Sequence, residues 1–367
     1  MAIEYVEIRD TNRSFIGIID TAISVIWHSV YFGVGDFEIY AQATKKHINL
    51  LKQDYYVSRP DSEEIGIIER IHFTSTPQDG DVMVASGRFA KSLLDRRIIY
   101  DYSGNENKPF ILSGKVEENV RNLVLKNAIN CPFDSKRNIS VLALGVLSGI
   151  PTLISDEQGV ATKIQVSCDN LLTFTDELLH KYNLSARVSL NDDTLKLEYT
   201  VISGTDRSGE VVFSQDYDNL AQSEYITDSS TERNIAFVGG EGEGIERFFS
   251  LVGEKQGLQR RELYVDASGV NKAYKDEQNV ERQYTDAEYK EMLDANGEQT
   301  LSENKSTDVF SGNINVTFGN WILNRDYFLG DVVTVQDNRI NKYAAVRITE
   351  VTEVQDENGY NIDAKYE

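Results

Sequence analysis

Tyr31-Phe32-Gly33-Val34-Gly35-Asp36-Phe37-Glu38-Ile39-Tyr40 lies between two alternating runs. Before the glycines, Val25, Trp27, Ser29 and Tyr31 share one face, and Ile26, His28 and Val30 the other. After them, Phe37 and Ile39 stand against Asp36, Glu38 and Tyr40. Period-two patterning on both sides of a Gly-x-Gly break predicts a β-hairpin, with glycines that tolerate a tight return. The stretch holds no nucleophile, base or metal set, so it points to a scaffold.

The segments around it read the same way. Residues 2–8 alternate, Phe15–Ile19 is a short apolar run, and Tyr55–Ser58 is a candidate strand. Ile65 to Phe73 reads as one strand, and Gly80-Asp81 turns into Val82–Ser86. About six strands with short turns argue for an antiparallel barrel or sandwich over residues 1–112. The period then changes. Phe89, Leu93, Leu94 and Ile98 fit a short helix, and Val116, Val120, Leu123, Val124 and Ala128 fit an amphipathic one. Residues 131–168 carry no clear period, and Leu171 to Leu179 mark another helix. Residues 113–184 therefore read as a mixed α/β insertion.

Strand patterning resumes after Ser185, with Leu195, Leu197, Tyr199 and Val201 on one face, then short runs through Leu263–Val265. Thr285 and Glu288 form a Ser/Thr-x-x-Glu capping box, followed by Tyr289, Met292 and Leu293 and by Gly297 as a breaker. Strands return at Ile314, Val316 and Phe318, at Val332–Val335 and from Tyr343 to Val354. Strand counting assigns residues 185–270 and 309–367 to a second β-barrel, with 271–308 as a helical insertion. The fold class is mainly β with α/β insertions.

The net charge of −22 argues against nucleic-acid binding by phosphate neutralisation, which needs Lys/Arg clusters. It suits solubility, or a surface that must repel a polyanion. Cys131 and Cys168 make no disulfide framework and fit a reducing compartment. The start has no basic and apolar leader pattern, and no apolar run approaches ~18 residues, so no membrane insertion by this chain is expected. Gly239–Gly244 is interrupted by Glu241 and Glu243, which would repel phosphate, and reads as a hairpin tip. His28, His47, His72 and His180 have no metal-ligand spacing. Asp356-Glu357-Asn358-Gly359 reads as a turn rather than a calcium loop. With 59 acidic residues, carboxylate pairs at any spacing arise by chance. No catalytic, cofactor-binding or metal residue is assigned, no cofactor is expected, and the chain reads as a non-enzyme.

Several segments, in order, resemble a known family. They are Trp27…Gly35-Asp36-Phe37-Glu38-Ile39, Gly66-Ile67-Ile68-Glu69, and Val84-Ala85-Ser86-Gly87-Arg88…Leu93-Leu94-Asp95-Arg96-Arg97. They continue with Gly257…Arg260-Arg261-Glu262…Val265-Asp266-Ala267, Tyr284-Thr285…Leu301 and Gly330-Asp331-Val332-Val333-Thr334-Val335. Together they resemble the tail-hub proteins of long-tailed phages of Gram-positive bacteria. These form the baseplate hub, or the N-terminal hub region of tail-associated lysins, and have relatives in contractile tails and phage-tail-like particles. The resemblance implies two tube-type antiparallel β-barrels per chain and a homotrimeric, pseudo-sixfold ring joining the sixfold tail tube to the threefold tip. It implies distal tail or tube proteins above and a tail-tip, spike or lysin protein below. The place is the virion tail tip, assembled in the host cytoplasm, with a role in genome ejection. DNA would pass without specific binding through a lumen lined by carboxylates. The chain ends soon after its last strand, so a lytic part is expected on another chain.

Two other readings follow from the residues: a tail-associated cell-wall hydrolase using buried carboxylates, and a host-glycan binding module stacking sugars on Tyr55, Tyr56, Tyr100 and Tyr102. On the hub reading the Tyr31–Tyr40 hairpin is assembly apparatus, and deleting Gly33–Gly35 is expected to impair rings while leaving a folded chain.

Overall fold

Alternation drives the hairpin to form as read, and it becomes the centre of a much larger sheet. In the computed structural model, residues 3–77, 80–102, 107–155, 159–275, 280–314, 321–339 and 341–367 are described. Strands β1 (Val6–Arg9), β2 (Phe15–Ile19), β3 (Ala22–Val30) and β4 (Asp36–Gln42) precede a short helix α1 (Lys45–Leu50). Then come β5 (Tyr56–Ser58), β6 (Ile65–Ile67), β7 (Arg70–Thr76) and β8 (Gly80–Arg88). The run Ile65–Phe73 is two strands, not one. Ile68 N–H donates to Tyr55 O and Glu69 N–H to Ser86 O, so the chain leaves one sheet and joins another there. β2-β1-β5-β6 form the first sheet, and β3-β4-β8-β7 lie in the second. Val6, Ile8, Trp27, Phe37, Ile39, Val57 and Phe89 fill the space between them.

A tight helical turn at Ala90–Arg96 opens the α/β region, which holds β9 (Phe110–Leu112), α2 (Val116–Val124), β10 (Leu142–Leu144), β11 (Ile164–Val166) and α3 (Leu171–Lys181). The buried stripe Val116, Val120, Leu123 and Val124 matches the predicted amphipathic face of α2. β12 (Leu184–Asn191) and β13 (Lys196–Ser203) follow. Strand counting puts these two in the second β region. Their hydrogen bonds put them in a three-stranded sheet with β10, whose core they share with α2 and α3.

The second β region contains β14 (Val212–Ser214) and β15 (Leu220–Asp228). The chain then leaves it for a separate layer of β16 (Ile235–Gly239), β17 (Phe249–Val252), β18 (Glu262–Asp266), β19 (Ala273–Lys275), β20 (Glu281–Gln283) and α4 (Asp286–Glu303). β16–β18 pack on α4 rather than on the second β region. The capping box is present: Glu288 N–H donates to Thr285 Oγ1, and Thr285 N–H donates to Glu288 Oε2 at 2.9 Å. Gly297 does not end α4. A side chain there would meet Val238 and Val252 at under 3 Å, so glycine lets the helix approach the sheet.

β21 (Thr307–Ile314), β22 (Val332–Asp337), β23 (Lys342–Asp356) and β24 (Gly359–Tyr366) complete the second β region. The predicted strand positions Val316 and Phe318 lie outside the described residues. The turn at Asp356–Gly359 is the β23–β24 hairpin. β23 pairs with β24 along one edge, and its other edge takes β22 at Lys342–Arg347 and β3 at Glu350–Gln355. One strand thus continues both β regions into the path β15-β21-β24-β23-β3-β4-β8-β7. The fold is mainly β with mixed α/β parts. Among the described residues no ring of hydrogen-bonded strands closes.

The two β cores meet at a buried ion pair. Arg59 donates to Glu353 Oε2 at 2.8 Å and to Oε1 at 3.1 Å, and also to Asp61 at 3.0 and 2.6 Å. Its guanidinium lies 5.3 Å from the Trp27 ring centre. Burial opposes the Arg59 charge, but the bonds to Glu353 and Asp61 outweigh it and hold its pKa above the ordinary value. Tyr360 Oη donates to Glu353 at 2.5 Å, and burial beside that carboxylate pushes the phenol up. Removing one partner strands the other charge. Arg59→Ala is expected to cost about 3–5 kcal/mol of unfolding free energy by urea titration, well beyond the effect of Lys46→Ala at the exposed Asp20 pair.

Candidate assembly site

The Tyr31–Gly35 loop sits where three parts of the chain meet. Tyr31 is 1% exposed. Its N–H donates to Thr349 O on β23 at 2.8 Å, its Oη donates to Asn183 O at 3.2 Å, and it accepts from Gly204 N–H at 3.0 Å. Ser185 Oγ donates to Tyr31 O. Burial raises the Tyr31 pKa, and the Gly204 amide offsets part of that. Arg347 lies over the Tyr31 ring and donates to Gly330 O. Gly330 has φ +91°, and a side chain there would run into the Tyr31 ring. Phe32 stacks on His180 at 4.0 Å, which ties the loop to the end of α3. Gly35 leaves no room for a Cβ beside His28 O and the Phe89 ring, and its carbonyl accepts from Phe89 N–H at 2.9 Å. The hairpin tip is therefore an internal junction. These contacts argue against the expectation that deleting Gly33–Gly35 leaves the chain folded.

Strands β7 and β15 end the sheet path. Among the described residues, β7 pairs only with β8, and β15 only with β21. Both have a second edge of backbone donors and acceptors, which suits strand addition by another chain. Glu224, Ile226, Thr227 and Asp228 on β15 are exposed, as are His72 and Phe73 on β7. Between these edges the outward face of the sheet is polar. Registered rows run Asp363–Thr352–His28–Asp36–Arg88 and Asn361–Val354–Ile26–Glu38–Ser86. His28 lies 3.3 Å from Asp36 and 3.2 Å from Glu350. Burial works to raise the Glu350 pKa, and hydrogen bonds from Lys365 and His28 bring it below the ordinary value.

The large buried carboxylates hold backbone and side chains together. Glu117 accepts from Ser148 and Ile150 N–H at 2.6 and 2.9 Å. Asp331 accepts from Thr205 N–H, Phe328 N–H and Arg207. Glu64 lines a cavity of about 620 Å³ beside Tyr31 and is pushed up to about 7 by burial. Among the described residues no three His, Cys, Asp or Glu are grouped to hold a metal, and no helix is long and apolar enough to cross a membrane. Cys131 is buried and Cys168 exposed, both as free thiols.

The four tyrosines singled out for sugar stacking make no common platform: Tyr56 is in the core, Arg137 covers Tyr100 at 3.9 Å, and Lys52 lies over Tyr55. Sequence reading missed Arg59 and Glu353. The signal was there: Glu353 alternates with Val351 and Gln355 on the inward face of β23, and an inward charge demands a buried partner. It also missed Phe237, Phe249 and Tyr264, which form an exposed aromatic face on β16–β18.

The family model for the Siphovirus ReqiPepy6 Gp37-like protein matches residues 5–365. Among solved structures, the chain is similar to the 43 kDa tail protein of prophage MuSo2 from Shewanella oneidensis (TM-score 0.58, 13% identity, 99% of this chain and 98% of that one). It is also similar to a tail protein from Neisseria meningitidis MC58 (TM-score 0.55, 12% identity, 99% and 95%). A third is the prophage tail protein gp18 from Listeria monocytogenes EGD-e (TM-score 0.51, 13% identity, 98% and 94%). At these identities the likeness shows a shared fold. No curated protein matches the chain. Tyr31→Phe removes the hydroxyl that serves both Asn183 and Gly204, and is expected to cost about 1–3 kcal/mol of stability. Deletion of Gly33–Gly35 is expected to abolish the cooperative thermal transition seen by circular dichroism.

Proposed function

The chain belongs to the Siphovirus ReqiPepy6 Gp37-like protein family, and from that premise we propose that it is a structural tail protein that works as a homotrimeric hub. The observation that carries this reading is the continuous path from β15 to β7, whose end strands each have one strand partner among the described residues. Two different edges on one chain make a head-to-tail contact, and head-to-tail contacts close into rings when the rotation permits. Three chains with two β regions each supply six β units, which suits a joint between a sixfold tube and a threefold tip.

In this reading the polar outward face of the sheet, with Asp36, Glu38, Glu350 and Asp363 interspersed with His28, Lys365 and Arg88, lines the channel. Phosphates pass a surface of mixed sign and net acidic chains without sticking. Distal tail or tube proteins dock above, and a tip, spike or lysin protein below. The chain itself performs no chemistry and inserts in no membrane. Its place is the tail tip, after assembly in the host cytoplasm.

Mass measurement in solution, followed by imaging of rings, is expected to give three copies, each contact burying well over ~1,000 Å². Successive residues of an edge strand point their amides alternately to the partner and to the free edge. Proline at His72 and, separately, at Phe73 is thus expected to break fold pairing in one variant and ring formation alone in the other. A chain that stays monomeric beside its tube protein overturns the reading, and clearing of peptidoglycan by the purified chain would favour the hydrolase.

A further inference from the structure

The layer of β16, β17 and β18 has two faces of opposite character. Ala236, Val238 and Val252 share a core with Met292 and Leu293 of α4. On the other face Phe237, Phe249, Leu251 and Tyr264 are exposed. Pairing places Phe237 between Leu251 on β17 and Tyr264 on β18. The Phe237 and Phe249 rings stack with centres 4.7 Å apart and planes 6° from parallel. A Cβ on Gly239 would meet Tyr264 Oη at 2.5 Å, so glycine there lets Tyr264 lie across the sheet. The connections at the two ends of the strands add Ile245 and Leu258, both fully exposed. Large apolar side chains gathered in this way on one layer mark a surface that another molecule covers.

We propose that this face docks a different protein, whose contact strip is apolar and carries lysine or arginine. Two observations select that charge. First, the arginines of the layer are already engaged: Arg247 pairs with Asp266 at 2.5 Å, Arg260 with Glu262, and Arg261 with Glu232 at 2.9 Å. Glu243 and Glu246 flank the exposed Ile245, and Glu254 lies in the connection that carries Leu258. These three carboxylates are exposed and have no ion-pair partner among the described residues, and Lys255 is the single free cation set against them. Second, aromatic faces are negative and attract cations. Arg247 already lies 5.9 Å from the Phe249 ring centre and 5.8 Å from that of Tyr264. The apolar centre would supply affinity, and the acidic rim would choose the partner. A second copy of this chain brings the same free carboxylates and a net charge of −22, and like charges facing across an interface disfavour that pairing. The face is separate from the β7 and β15 edges, so the proposal goes beyond the hub reading and does not need the ring.

The test is fluorescence anisotropy of the full chain with two labelled peptides, one alternating lysine and leucine and the other glutamate and leucine. It is run at about 150 mM salt, where charges act over only about 8 Å. The lysine peptide is expected to saturate and to bind about tenfold more tightly than the glutamate peptide. Joint replacement Phe237→Ser and Leu251→Ser is expected to weaken the lysine peptide about tenfold with the thermal transition kept, since both side chains face away from α4. Joint replacement Glu243→Lys and Glu246→Lys leaves the apolar face intact and is expected to reverse the preference between the peptides. Equal binding of the lysine peptide to the wild type and the serine variant overturns the proposal, because the charge of the rest of the chain would then account for it. A change in copy number on serine substitution, measured by sedimentation, also overturns it, because the face would then be a contact between copies. The peptides report on a single chain or a ring alike, so failure here and failure of the hub reading are separate results.

Discussion

A strand has two edges, and a strand of 15 residues is long enough to take two neighbours on one of them. β23 uses that length. β24 lies along one side, and β22 and β3 share the other in succession. Without this sharing the chain would hold two unrelated sheets, each with extra exposed edges. With it, a single set of hydrogen bonds fixes how the N-terminal and C-terminal β regions sit relative to each other. Side-chain alternation carries the same constraint into the cores. Glu353 and Trp27 are opposite one another on the inward face, and Thr352 and His28 on the outward face.

The joints between parts of the chain are polar, while the parts themselves are apolar. Arg59–Glu353 lies between the two β cores, Tyr31 between the hairpin and the α/β region, and Asp331 between the loop at Phe328 and the loop at Thr205. An apolar joint would tolerate sliding. A bidentate ion pair, or a phenol with one donor and one acceptor assigned, accepts one geometry. Replacing such a pair with well-packed apolar groups need not reduce stability. The gain from these joints is a fixed angle between units.

Local structure was legible where its cause was local. The β3–β4 hairpin, α2, α3 and the Thr285–Glu288 cap follow from periodicity and capping chemistry, and the structure has all four. What failed had distant causes. Ile65–Phe73 alternates without a break, yet the chain changes sheets at Ile68 because Tyr55 and Ser86 claim its amides. β12 and β13 read as any antiparallel pair, and their third partner β10 is three residues in a stretch without a period. Gly297 has the composition of a helix breaker and the role of a contact point. The internal contacts of the hairpin tip were not legible, because nothing in Tyr31–Gly35 announces Asn183, Gly204 or Gly330. The class of protein was legible through the order of weak segments, and the family match over residues 5–365 agrees with it.

The pairing of β3 with β23 joins residues 22–30 to residues 350–355. Contacts so far apart in sequence are slow to form, and here they cannot form until residues 350–355 have left the ribosome. The α/β region and the α4 layer, built from contiguous segments, are free to fold earlier, as units emerging in order do. The central sheet waits for β23. A product truncated before β23 thus lacks the continuous path from β15 to β7. Synthesis through β23 becomes a checkpoint on the geometry of the central sheet.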